Sequence, residues 1–163
     1  MNHSESSQVT TPSDREVMFT RTFTGPRNLV FDCWTKPELL QQWLLGPPGW
    51  TMPVCEIDLR VGGAYRYLWR GPEGSEMGMG GVHREVVRPE RIVCTQLFDQ
   101  DWTGGETVGT LVFTEQGGKT LVTNTILYPS QEARDGALQS GMEQGMAAGY
   151  DRLEKLLLSK LTA

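Results

Sequence analysis

Residues 64–98 read AYRYLWRGPEGSEMGMGGVHREVVRPERIVCTQLF and set strand-like runs against turn signals at short intervals. Ala64–Trp69 alternates in character, Gly71-Pro72-Glu73-Gly74 closes that run, Glu76–Val87 follows, Arg88-Pro89-Glu90 turns the chain, and Arg91–Phe98 resumes it. Connections this short suit antiparallel neighbours, because parallel strands need crossovers of a dozen or more residues. The same rhythm extends outward. Upstream lies Val54–Leu59 with Val61-Gly62-Gly63 as its turn; downstream lie Thr107–Glu115 and Lys119–Tyr128, joined through Gly117-Gly118. Pro129-Ser130 then opens a helix predicted to run unbroken to about Ser159, with Ser130 as N-cap and Glu132 and Asp135 near its positive end.

Ahead of this block, Glu16–Thr24 is β-prone and is broken by Gly25-Pro26. Pro26 suits a first helical position, and Pro37 stops that helix and starts another carrying Leu39, Leu40, Trp43 and Leu44, which Gly46-Pro47-Pro48-Gly49 ends. A sheet that buries one face needs helices to cover it. Gly62, Gly63, Gly78, Gly80 and Gly81 supply sites for bulges and curvature. The expected architecture is α+β: a curved antiparallel sheet of about seven strands wrapped round a long C-terminal helix, with two short helices after the first strand. Residues 1–14, rich in Ser, Thr, Gln and Asn, are expected to be a disordered arm, and 15–163 a single domain.

The chain has 163 residues, 38% of them hydrophobic, with 15 Lys and Arg against 20 Asp and Glu and a net charge of −5. That balance argues against a nucleic-acid partner, since phosphate neutralisation needs clustered positive charge. No run approaches a membrane span, and Met1–Asp14 lacks the basic and apolar regions of a signal peptide, so a cytoplasmic protein is expected. Cys33, Cys55 and Cys94 form no C-x-x-C pair. His3 lies in the polar arm and leaves His83 alone, which argues against a metal site or a tightly bound cofactor. There is no G-x-S-x-G elbow and no complete phosphate loop.

Tyr65, Tyr67 and Trp69 share one strand face, opposite Arg66 and Arg70. That face either lines an apolar pocket with hydroxyl handles or fills the core beneath the helix. Met77 and Met79 fall on a face with His83 and Glu85. His83 is a weak catalytic candidate, a base positioned by a same-face carboxylate, or else a structural histidine. Trp34, Trp43 and Trp50 cluster round the helical hairpin, with Trp50 either anchoring it or standing at a pocket mouth. Arg60, Arg66, Arg70, Arg84 and Arg91 read mostly as a charged convex surface, with the alternative that one of them clamps a ligand carboxylate. Asp99, Asp101, Trp102 and Glu106 read as a solvated turn. In the long helix Ala137, Gly141, Gly145 and Gly149 recur every four residues beside Met142, Met146 and Tyr150. Each interior glycine costs about 0.5–1 kcal/mol relative to alanine. Such a row is expected to serve close packing, a homodimer contact or cavity space.

Three stretches together resemble a known family: Phe31–Trp43 followed by Gly46-Pro47 and Gly49-Trp50, Asp58–Tyr67, and Gly81–Val93. The family is named after the activator of the heat-shock-protein-90 ATPase, within the START-like or SRPBCC superfamily of helix-grip folds, and the resemblance spans about residues 16–158. It implies a cavity between sheet and C-terminal helix suited to a small hydrophobic or aromatic molecule. With such a cavity, the residues read above that are expected to contact the ligand are Tyr65, Tyr67, Trp69, Met77, Met79, Met142, Met146, Tyr150 and Trp50. The superfamily holds carriers, receptors, cyclases and aromatases, so three readings follow: a hydrophobic-ligand binder without catalysis, a cyclase- or hydrolase-type enzyme using the same pocket, and a chaperone-interacting module.

Overall fold

In β2 (Glu16–Thr24), Val17, Phe19, Arg21 and Phe23 are buried while the residues between them are half-buried or exposed. This alternation makes one face of a sheet a floor and leaves the other to solvent. The computed structural model describes residues 7–100 and 104–162. In chain order its elements are β1 (Gln8–Thr10), β2, α1 (Arg27–Thr35), α2 (Pro37–Leu40), β3 (Thr51–Ile57), β4 (Ala64–Arg70), β5 (Glu76–Val87), β6 (Arg91–Phe98), β7 (Thr107–Gln116), β8 (Lys119–Leu127), α3 (Gln131–Gln139) and α4 (Met142–Thr162).

The strands form one antiparallel sheet in the order β1-β2-β8-β7-β6-β5-β4-β3. The helix-grip expectation holds, with eight strands in place of about seven. The additional strand lies inside residues 1–14, the stretch expected to be a disordered arm, and corrects that reading at Gln8–Thr10 alone. Gln8–Thr10 pairs with Thr20–Met18 on the otherwise open edge of β2, and Val9, opposite Phe19, packs against the core. An unpaired edge offers a row of backbone donors and acceptors, so even a polar segment gains by completing it. Residues 1–6 of that arm, His3 included, lie outside the described residues.

A second correction concerns the long helix, which is not continuous. Ser130 caps α3 as expected, its hydroxyl accepting from Ala133 N at 3.1 Å. Gly141 then takes a φ of +85° and α4 begins at Met142. A left-handed glycine just past a helix end is a common terminator, and Ser140 N and Oγ both return to the Ala137 carbonyl there. The row of small residues is therefore split. Gly145 has no atom within 4 Å of the Cβ it lacks, and Gly149 alone comes close to another backbone.

The helices rest mainly on β2, β7 and β8. There Phe23, Phe31, Trp34, Phe113 and Tyr150 make edge-to-face contacts above the sheet, with Leu153 and Leu157 fully buried beside them. The concave faces of β4–β6 receive less helical cover. No helix among the described residues is long and apolar enough to cross a membrane.

Candidate functional site

The part of the concave face that the helices leave open is a cavity of about 250 Å³. Its near wall is β4. With Ala64 and Arg66 turned outward by the pleat, Tyr65, Tyr67 and Trp69 point inward, and ring centroids 5.0 and 5.8 Å apart make them a continuous aromatic strip. Met79 of β5 stands opposite Tyr67 in the register, and Cys94, Gln96 and Phe98 continue the floor along β6. Roof and far wall come from Trp34 and Trp43 of the helical hairpin and from Met142, Met146 and Tyr150 of α4. Seven of the nine contacts expected from the sequence thus line one space: Tyr65, Tyr67, Trp69, Met79, Met142, Met146 and Tyr150.

Met77 and Trp50 do not line it. Met77 pairs with Trp69 near the end of the hairpin but is 38% exposed at the rim, past the helical cover. Trp50 packs on the β4–β5 turn, where its ring would come within 3.0 Å of a Cβ at Gly71. Only Trp34 and Trp43 of the three tryptophans pack together, with ring centroids 4.6 Å apart.

His83 is corrected as well. Period-2 spacing put it on a face with Glu85, but a bulge between them pairs His83 with Cys94 and Glu85 with Val93. The extra residue reverses the alternation. His83 is buried, while Glu85 is exposed and accepts from Arg91 Nε at 2.7 Å. His83 N and Nδ1 both reach the Gly63 carbonyl, at 2.9 and 3.0 Å, so the imidazole ties down the β3–β4 turn and is not part of the cavity wall. The five expected surface arginines behave as read. Arg60, Arg66, Arg70, Arg84 and Arg91 pair with Asp58, Asp99, Glu76, Glu106 and Glu85 and line none of the cavity. Asp101 and Trp102 lie outside the described residues. Among those that are described, no group of His, Cys, Asp or Glu is arranged to hold a metal.

Among the described residues the wall is uncharged: its lining contains no carboxylate, ammonium, guanidinium or imidazole. Burial pushes the Tyr65 and Tyr67 hydroxyls far above the ordinary phenol value and raises those of Tyr128 and Tyr150 to about 12, the latter against the opposing pull of Asn124 and Arg21. Burial also raises the Cys94 thiol. All of these groups are therefore neutral at pH 7. Several of the polar atoms are engaged within the protein, while the buried Tyr150 Oη has no hydrogen-bond partner among the described residues. Tyr65 Oη donates to Thr95 O at 2.6 Å, Trp43 Nε1 to Cys33 O at 2.9 Å, and Trp69 Nε1 to Leu44 O at 2.8 Å. Tyr128 Oη approaches Met142 Sδ at 3.5 Å.

Reasoning from the sequence alone missed Gln96, Thr107 and Asn124, the polar residues of the floor. The alternation of their strands marked their faces, but nothing local distinguished them from ordinary solvent-facing polar residues. It also missed Arg21, 1% exposed in the middle of an otherwise apolar strand face and bound to Asp151 Oδ1 at 2.8 Å.

Similar proteins agree with this architecture. A crystal structure from Rhodobacter sphaeroides matches with a TM-score of 0.89 at 32% identity, over 94% of this chain and 99% of that one. A solution structure from Staphylococcus epidermidis matches at 0.80 and 32% identity, covering 94% of each chain. Protein Ms6760 from Mycobacterium smegmatis matches at 0.81 and 25% identity, over 92% of this chain and 95% of that one. No curated protein matches significantly. The family described as Activator of Hsp90 ATPase homolog 1-like protein matches residues 24–158, and the chain belongs to that family.

Proposed function

We propose that this protein binds a small, uncharged, hydrophobic or aromatic molecule in the cavity between sheet and helices. The observation that carries the reading is the cavity itself, about 250 Å³ walled by aromatic rings and thioethers without a charged group among the described residues. Ligand pockets are mostly apolar concavities with few polar groups, and an apolar cavity of about 150 Å³ already holds benzene. A charged ligand would lose its hydration here with no counter-charge to replace it. Met79, Met142 and Met146 add adaptable surfaces that suit more than one ligand shape. With no imidazole or carboxylate among the described residues of the lining, the geometry favours binding over acid–base catalysis from the same pocket. Three free thiols suit a reducing compartment, and we assign the protein to the cytoplasm on that basis.

The test is native mass spectrometry of freshly purified protein, paired with quenching of Trp34, Trp43 and Trp69 by aromatic probes. Retention of a neutral small molecule, or saturable quenching lost in a cavity-filling Leu111→Trp variant that stays folded, supports the reading. A folded protein that retains nothing and shows no saturable quenching overturns it.

A further inference from the structure

Gln96 on β6 leans across β7 onto the bare backbone of Gly109. A Cβ at Gly109 would stand 2.7 Å from Gln96 Nε2, so the absence of a side chain there is what lets the amide lie flat on the floor. Thr107, opposite Gln96 in the β6–β7 register, donates from Oγ1 to Gln96 Oε1 at 2.9 Å. With the amide oxygen engaged, its nitrogen is the end left to a ligand. Gln96, Thr107 and Gly109 all line the cavity. Gln96 Nε2 makes no hydrogen bond among the described residues, nor does the buried Tyr150 Oη, whereas the polar tips of Tyr65, Trp43 and Trp69 are already engaged by backbone carbonyls.

An N–H donor in an uncharged hollow discriminates in two directions. A pure hydrocarbon displaces whatever solvates the amide and leaves a buried donor bare, which is costly. A carboxylate satisfies the donor but brings a full charge into a space with no cation in its lining. A neutral carbonyl satisfies the donor at no such cost. We propose that Gln96, oriented by Thr107 and seated over Gly109, is a specificity-determining donor of the cavity, and that it selects neutral carbonyl-bearing aromatic ligands (aryl ketones, quinones or lactones) over hydrocarbons and carboxylates of the same size. This assignment rests on the ligand-binding reading of the same cavity.

The experiment compares benzophenone, diphenylmethane and diphenylacetate, followed by quenching of the cavity tryptophans, in the parent protein and in Gln96→Leu and Thr107→Val. Gln96→Leu should weaken benzophenone about tenfold while leaving diphenylmethane as tight or tighter, the effect of one lost hydrogen bond. Thr107→Val, which frees the amide to turn, should lose part of the same selectivity, and diphenylacetate should bind weakest throughout. If Gln96→Leu does not fold, Gln96→Met carries the comparison. Equal changes for benzophenone and diphenylmethane, or no change in either, overturn the role of Gln96 and leave the cavity reading standing. Preference for diphenylacetate overturns the neutral-carbonyl class. Failure of the folded parent to bind any of the three overturns both readings.

Discussion

Gly149 on α4 faces the main-chain oxygen of Trp43, and a Cβ built on Gly149 would lie 3.2 Å from it. The helix thus crosses the turn after α2 at near backbone contact. The approach brings Tyr150 beside Trp43, with centroids 6.2 Å apart, and closes one wall of the cavity. Trp43 has little freedom to retreat, since its ring is 1% exposed and its carbonyl already accepts from Leu45 N at 2.9 Å.

The glycines of the C-terminal helices should therefore respond differently to alanine. Gly145→Ala meets open space in a helical conformation and should raise stability by about 0.5–1 kcal/mol. At Gly149 the same propensity gain opposes crowding against the Trp43 carbonyl, and Gly149→Ala should lower stability by about 1 kcal/mol. Gly141→Ala places a side chain at a φ of +85° and should cost about 1–2 kcal/mol. Urea denaturation of the three variants measures this. Equal stabilisation by all three would contradict the packing described.

Arg21 is 1% exposed, with one nitrogen on Asp151 and Nη2 unpaired among the described residues. Removing the carboxylate leaves a buried guanidinium without its counter-charge, which is worse than removing the whole pair. Asp151→Ala should cost about 2 kcal/mol, discounted because Asp151 is 56% exposed. Arg21→Met, combined with Asp151→Ala, should recover part of that loss. Thermal denaturation of the single and double variants decides it, and a double variant less stable than Asp151→Ala would contradict the account.

Arg66 reaches across β5 to grip Asp99, with Nη1 and Oδ1 2.6 Å apart, and a side chain at Gly78 would stand in the path of this bridge. The guanidinium holds the Asp99 carboxyl below the usual range. A lowered native pKa contributes stability present above the unfolded value, about pH 4, and lost as pH falls through the native one. Asp99→Asn should therefore melt below the parent near neutrality and converge with it at acid pH, by a small margin because the pair is exposed. Parallel melting curves across the acid range would show that the bridge has no linked effect.

Much of the fold was legible because its signals are local. Gly-Pro pairs set the strand ends, Ser130 announced its cap, and the alternation of Tyr65, Tyr67 and Trp69 fixed an inward face once a single face was buried. Those features depend on the φ preferences, hydrogen-bonding reach and two-residue period of neighbouring positions, all readable from a short window. The resemblance supplied what those windows lacked, the arrangement of the elements round a cavity.

The remainder was decided by contacts between distant parts of the chain. Val9 and its neighbours became a strand because β2 offered an open edge. His83 and Glu85 parted faces because the pairing with β6 inserts a bulge between them. Glycines at helical spacing looked like one smooth row, and only the positive φ of Gly141 separated a helix end from a helix interior. Gln96 became a site residue through Thr107 and Gly109, which lie on the next strand. Strand register, bulges and cavity walls are set by which partner satisfies the backbone and fills the space, and that information is spread over residues far apart in sequence.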